Sequence, residues 1–276
     1  MNINGALNLD SISSQDSIIH NLDGRIKLLA TLIIIVYVVF SNQLLAPLIL
    51  WIFLVIIIFL AKLPIKDTFI RITLLLPFGG FIIAFQPFIH PGHIIWQSTI
   101  LGIHITDLGL NWAVLLASRL VVCLTAIVLL SSTSPIQEIV LSLRKLGMPK
   151  DLAMILSIMI RFLFIFVDEL RLIREAQKSR NFNIQNKLTP YKWRVKQVGY
   201  TIAMMFLNAY EKGETVYSSM ISRGFSDSSD LYTIKKSIDK TDYTYISIII
   251  GLIIISQILV MFYPKYLGYL GVILYK

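Results

Sequence analysis

Two short segments of this 276-residue chain hold an arginine in the same setting. Ser179-Arg180-Asn181-Phe182 and Ser222-Arg223-Gly224-Phe225 share the order Ser-Arg-(Asn or Gly)-Phe, with the arginines 43 residues apart. The guanidinium presents five donors in a rigid fork that matches carboxylates, so such a residue at an exposed tip is built for gripping an acidic surface. A plainer reading also exists. A cation in the last turn of a helix suits the negative end of the helix dipole, and Gly or Asn just beyond is a common left-handed cap. The pattern occurs twice, each time at the end of a long helical segment, and this favours docking. Two equivalent cationic tips suit two equivalent acidic grooves, hence a partner with two-fold symmetry.

Arg119 lies near the middle of an otherwise uncharged apolar run. An ionised side chain inside a membrane marks either a functional contact or a cation bonded within the helix bundle, and both readings stay open. His90-Pro91-Gly92-His93 with His104 brings metal-ligand chemistry to mind. Pro and Gly make a turn between the first two, so they need not converge, and no metal site is assigned. Cys123 is the lone cysteine, which rules out an internal disulfide. No Gly-x-x-x-x-Gly-Lys-(Ser/Thr) phosphate loop occurs, and no Ser/His/Asp or Cys/His grouping stands out. No Asp or Glu falls in the centre of an apolar run, which argues against a proton-coupled carrier acting alone. The chain is read as non-catalytic and without a cofactor of its own.

The elements that carry these residues are membrane helices. The composition is 56% hydrophobic and 15% charged, against roughly a quarter charged in soluble domains. Ile26–Phe40, Leu44–Ala61, Ile70–Ile89, Leu110–Leu130 and Tyr243–Phe262 are each nearly free of charge. About 20 residues span a bilayer core of ~30 Å, within a range of roughly 17–25. Four runs meet that length, and the first borrows Asp23–Lys27 at the interface, where basic side chains snorkel. Arg25 and Lys27 precede a retained first helix rather than a cleaved signal, because no small-residue cleavage site follows.

Charge placement sets the orientation. The net charge is +9, and 17 of the 25 Lys and Arg lie between Arg144 and Lys240. Lys62, Lys66 and Arg71 occupy the second connection, whereas Pro87–Leu108 has no Lys or Arg. Cytoplasmic loops collect Lys and Arg, so five spans with the amino end inside and the carboxyl end outside are expected in the cell membrane. Interleaving of the basic residues with apolar helix faces excludes nucleic acid as the natural partner. It points instead to anionic lipid and a partner protein.

The expected organisation is a polar arm at 1–22, four spans at 23–131, a basic cytoplasmic module at 132–242 and a last span with its tail at 243–276. The module opens at Ser131-Ser132-Thr133-Ser134-Pro135, a capping cluster with Pro near the first helical turn. A short amphipathic helix runs to about Lys145 and stops at Gly147-Met148-Pro149. Asp151–Arg180 holds no Pro or Gly, giving a helix of ~45 Å at 1.5 Å per residue. A second long segment covers Tyr191–Arg223. Each passes from an apolar half to a charged half, so neither is a comfortable span. The fold class is thus an all-α polytopic membrane protein of about five transmembrane helices, with a coupling module of one short and two long amphipathic helices.

At these residues the chain resembles the transmembrane T component of energy-coupling factor (ECF) transporters, in its CbiQ-type cobalt and nickel form. His20-Asn21-Leu22-Asp23-Gly24-Arg25-Ile26-Lys27-Leu28-Leu29 resembles the family's opening His-x-Leu-Asp-x-Arg-x-Lys-Leu-Leu. Leu143-Arg144-Lys145-Leu146-Gly147-Met148-Pro149 resembles its Leu-Arg-x-Leu-Gly-x-Pro turn. Ala209-Tyr210-Glu211-Lys212-Gly213-Glu214, running on to Ser222-Arg223-Gly224-Phe225, resembles its second coupling motif. The resemblance implies that Ser179-Arg180-Asn181 and Ser222-Arg223-Gly224 are the family's two x-Arg-x tips, each seated on one of two ABC-type ATPase subunits. Ser stands for the usual Ala in both, and Asn181 for Gly in the first. It further implies that ATP is bound by those partners and that a separate CbiM-like S component binds the substrate. A stand-alone secondary metal transporter would show embedded ligands and repeated halves, and neither is found. A vitamin-type ECF system remains open, as does a membrane scaffold or a lipid-modifying enzyme with a polar interfacial site.

Overall fold

A computed structural model describes residues 17, 19–89, 94–97, 104–180, 190–226 and 239–262, with backbone alone at 65, 94–97, 104–105 and 262. Among the described residues are eight helices: α1 (Gly24–Phe40), α2 (Leu45–Leu60), α3 (Ile65–Ile89), α4 (Asp107–Thr133), α5 (Ile136–Lys145), α6 (Lys150–Ser179), α7 (Tyr191–Ser222) and α8 (Lys240–Phe262). The all-α polytopic class holds. The expected outer loop adds a short antiparallel ribbon, β1 (Ile94–Gln97) with β2 (His104–Thr106), in which Gln97 faces His104. Two compact units result, Met1–Leu146 with Lys236–Lys276, and Gly147–Lys235. The short helix α5, grouped by composition with the two long ones, packs on α1 in the first unit.

Among the described residues, three helices are long and apolar enough to cross a membrane: Lys66–Ile89, Asp107–Thr133 and Lys240–Met261. The run Leu44–Ala61, expected to meet full length, yields a helix of only 16 residues, about 24 Å. Its end is set by a local device. Lys62 takes a left-handed φ of 53°. Lys62 N–H donates to the Phe59 carbonyl at 3.1 Å and Leu63 N–H to the Ile58 carbonyl at 3.4 Å. This double closure satisfies the last carbonyls and stops the helix, and Pro64 follows, which disfavours helical geometry in the residue before it.

The first unit has its core where α1, α2, α4 and α8 meet. Ala30, Ile34 and Val38 recur at a four-residue spacing on α1 and pack with Leu50, Leu54, Val122, Ala126 and Ile249. Such spacing puts one face of a helix against its neighbours. The outward faces stay apolar, as with Phe78, Phe81 and Ile82 on α3, which suits lipid contact. Helix α3 lies against α4 through glycine. A Cβ on Gly79 would overlap the Leu120 side chain, and one on Gly109 would come within 2.7 Å of the Pro87 Cα.

One end of this core is tied by the opening motif. Lys27 is buried, and its ammonium donates to the His20 carbonyl at 2.9 Å and the Thr133 carbonyl at 3.1 Å. Glu138 of α5 stands 3.9 Å away. Asp23 caps α1 by accepting from Arg25 N–H at 3.0 Å, and its own N–H donates to the Asp242 carboxylate of α8 at 3.0 Å. Gly24 lets α5 approach, since a Cβ there would lie 2.6 Å from Ser142 Oγ. Hydrogen bonds to a charged group contribute about 1.5–3 kcal/mol. Lys27→Met should therefore lower the unfolding temperature clearly, read by a thiol-reactive dye on the half-buried Cys123. The exposed Lys66→Met should not. Equal melting of the two variants would show that Lys27 ties nothing.

Candidate functional site: two arginine tips on crossed helices

Both arginines close their helices. Arg180 is the C-cap of α6 and Arg223 the C-cap of α7. Both side chains are exposed, and among the described residues neither guanidinium forms an ion pair. The preceding serines turn inward on their own helices. Ser179 donates to the Glu175 carbonyl at 2.8 Å and Ser222 to the Ser218 carbonyl at 2.9 Å. A hydroxyl satisfied in this way leaves the arginine as the free group of each tip. Asn181, the remaining residue of the first signature, lies outside the described residues, as do His90 and His93.

The Ser-Arg-Gly-Phe order of the second tip has a structural cause. Gly224 adopts φ +80°. Its N–H donates to the Ile221 carbonyl at 2.9 Å, and Phe225 N–H donates to the Met220 carbonyl at 3.0 Å. These are the two bonds of a Schellman cap, with its usual apolar contact between the residue after glycine and the one five before it. Phe225 and Met220 line one apolar groove of about 340 Å³ with Met154, Ile158 and Phe162 of α6. The phenyl ring is thereby drawn in and the arginine left outside.

The two long helices cross in antiparallel order. Glu169 accepts from Lys212 at 2.5 Å and from Asn208 at 2.6 Å. Further along α6 and further back on α7, Gln177 donates to Thr201 at 3.0 Å. The bond from Lys212, then that from Asn208, holds the Glu169 carboxyl below its ordinary pKa, because both donors favour the charged form. The Lys212 ammonium also stands 5.6 Å over the Phe166 ring. Antiparallel crossing carries the two C-terminal tips to opposite ends of the pair, as two separate docking sites require. The sequence displayed Glu169 and Lys212 only as members of charged stretches. Their pairing, 43 residues apart, joins different helices and has no local periodicity to betray it.

Apolar surface on this unit is extensive. Leu152, Ile155, Met159 and Leu163 are exposed along α6, and Ile202, Phe206, Leu207 and Tyr210 along α7. No residue of α7 is buried. Exposed apolar area on this scale marks a surface that meets protein or lipid.

Arg119 belongs to the first unit and is engaged there. Its Nε donates to the Ser41 carbonyl at 3.2 Å, Nη2 donates to the same oxygen, and Nη2 reaches the Asn42 side-chain oxygen at 3.2 Å. Ser41 is the C-cap of α1, so the guanidinium donates to a carbonyl at a helix end that has no partner within its own helix. Among the described residues, no group of three or more His, Cys, Asp or Glu is placed to hold a metal ion.

The cap geometry makes a paired prediction. Gly224→Ala forces a side chain into a left-handed conformation at a cost of about 1–2 kcal/mol, although space at its Cβ is open. Gly199→Ala, inside α7 with equally open space, should stabilise that helix by about 0.5–1 kcal/mol. Amide hydrogen exchange should therefore speed up at Arg223 and Phe225 in the first variant and slow along α7 in the second. The same sign in both would contradict the cap.

Comparison with known proteins places these features in a family. The model of the family CbiQ, described as cobalt transport protein, matches residues 15–233. The energy-coupling factor transporter transmembrane protein EcfT of Limosilactobacillus fermentum is 30% identical over 219 residues, covering 76% of this chain and 80% of that protein. EcfT of Streptococcus equi is 28% identical, with 76% and 80% covered. EcfT of Bacillus subtilis is 24% identical over 252 residues, with 88% and 93% covered. The matched stretch takes in the opening motif at Lys27, the crossing at Glu169 and Lys212, and both arginine tips, and on that match the chain belongs to the CbiQ family.

Proposed function

We propose that this chain is the transmembrane component of an ECF-type importer, a non-catalytic subunit driven by ATP hydrolysed on two ABC-type ATPase partners. The observation that carries this reading is the pair of exposed, inward-capped arginines, each ending one of two crossed helices in a chain of this family. Each ATPase would receive one tip. Charge-assisted contacts there are the strong kind, and ATP-dependent movement of the partners would pass along α6 and α7 to a separate substrate-binding membrane subunit. The exposed apolar faces of the two helices suit that subunit and the lipid around it. The family description names cobalt, and we take cobalt, or nickel as a similar divalent ion, as the first reading of the substrate. A second reading, kept open by the relatives being energy-coupling factor transmembrane proteins, is a shared or vitamin-type system in which the S component alone selects the cargo.

The chain would lie in the cell membrane with five spans, its amino end and long helices in the cytoplasm and its carboxyl end outside. In this arrangement α1 and α2 are short spans. The Lys and Arg asymmetry supports this orientation. In a Cys123→Ser background, a cysteine at Gln43 should react with an impermeant reagent on intact cells, and one at Ser219 only after permeabilisation. Labelling of intact cells at Ser219 would reverse the topology.

Loss of both tips tests the coupling role. Breaking one such contact while its partner stays buried costs about 2–5 kcal/mol. Arg180→Ala with Arg223→Ala should leave expression and membrane insertion normal, abolish copurification of the ATPases and stop uptake. The purified chain alone should turn over no ATP. Should the double variant keep its ATPases and transport at the original rate, the arginines are helix caps and nothing more.

A further inference from the structure

The contacts between α6 and α7 follow one offset. Glu169 stands eleven residues before Arg180, and Lys212 stands eleven before Arg223. The paired side chains are therefore equally far from the two tips, about 16 Å of helix in each case. The 43 residues between the arginines are also the 43 residues between Glu169 and Lys212. The same offset relates the contacts on either side. Gln177 and Thr201, joined at 3.0 Å, map onto Met220 and Ile158, which both line the apolar groove. Phe166 maps onto Ala209, and these line that groove together. The two helices thus cross about a pseudo-two-fold axis, with a polar contact on one side, an apolar groove on the other, and the ion pair between them.

The geometry points to Glu169 and Lys212 as the pivot of the coupling helices, a pair of positioning residues on the pseudo-two-fold axis that keeps the two arginine arms equal in length and makes them turn together. Crossed helices with almost no buried residues have no packed core to fix where they touch. A specific contact must do so. The Glu169 carboxylate accepts from two donors on α7, and Lys212 is further oriented over the Phe166 ring. A crossing point displaced along either helix would lengthen one arm and shorten the other. Two equivalent partners moving symmetrically would then drive the tips by unequal amounts. The pivot rests on the coupling role proposed above for its use, while its part in fixing the crossing point does not depend on that role.

Exchanging the two residues is the symmetry operation itself, and this supplies the test. Nitroxides are placed at Glu175 and Ser218, both exposed and each five residues before its tip, in the full Cys123→Ser chain in lipid nanodiscs. Pulsed electron resonance should show one narrow distance distribution. Glu169→Ala should broaden it at least twofold, Glu169→Gln should broaden it less, and Glu169→Lys with Lys212→Glu should return most of the narrow width although the Asn208 bond is lost. With the copurified ATPases bound, ATP should shift the distance in the parent chain. That shift should fall by at least half in Glu169→Ala, with the ATPases still attached through the arginines, and recover in the exchanged variant. An unchanged width in Glu169→Ala, or an exchanged variant no narrower than the alanine one, would overturn the pivot. ATPases that fail to bind the parent chain would refute the coupling role instead, and the widths measured without them would still decide the pivot.

Discussion

A lysine buried at one end of the helix bundle is the constraint on which the first unit depends. Lys27 is withdrawn from solvent, and a charge can remain there only if its donors are taken up. A carbonyl ahead of α1 and a carbonyl in the last turn of α4 accept from it, and the carboxylate of Glu138 on α5, 3.9 Å away, balances its charge. The Thr133 carbonyl is among the last of a helix and so lacks an intrahelical partner. One cation thus answers the polar remainders of three segments. Asp23 and Asp242 do the same for the start of α8. The result fixes α5 against α1 at the point from which the chain departs for the long helices.

Those long helices follow a different economy. Their contacts are few and specific: a shared carboxylate at the crossing, one amide-to-hydroxyl bond beyond it, and an apolar groove closed by Phe225. A unit held in this way can change its crossing angle without breaking a packed core, since close-packed interiors resist continuous deformation. Capping completes the arrangement. The Schellman bonds at Gly224 and the inward serine hydroxyls consume local hydrogen-bonding groups, and the arginines are left exposed.

Arg119 shows how one residue type serves opposite ends in one chain. At the tips the guanidinium is exposed and unspent. In α4 it is bent onto the end of α1, where it donates to a carbonyl that has no partner within its own helix. The distinction lies wholly in surroundings.

The sequence by itself determined the helices, because apolar run length, charge placement and capping residues act within a few turns of chain. The ends of α5, α6 and α7 fall within a residue or two of their expected places for that reason. It also determined both arginine tips, since repetition at a fixed offset is visible without coordinates. Only the tertiary structure decided what meets across helices. The 16-residue length of α2 depended on a left-handed Lys62, which no residue type announces. The engagement of Arg119 depended on where α1 ends beside α4. The placement of α5 on α1 depended on Gly24, and the crossing at Glu169 and Lys212 depended on the register between two helices. Each joins residues far apart in the chain, where pattern carries no information and distance in space alone selects the partner.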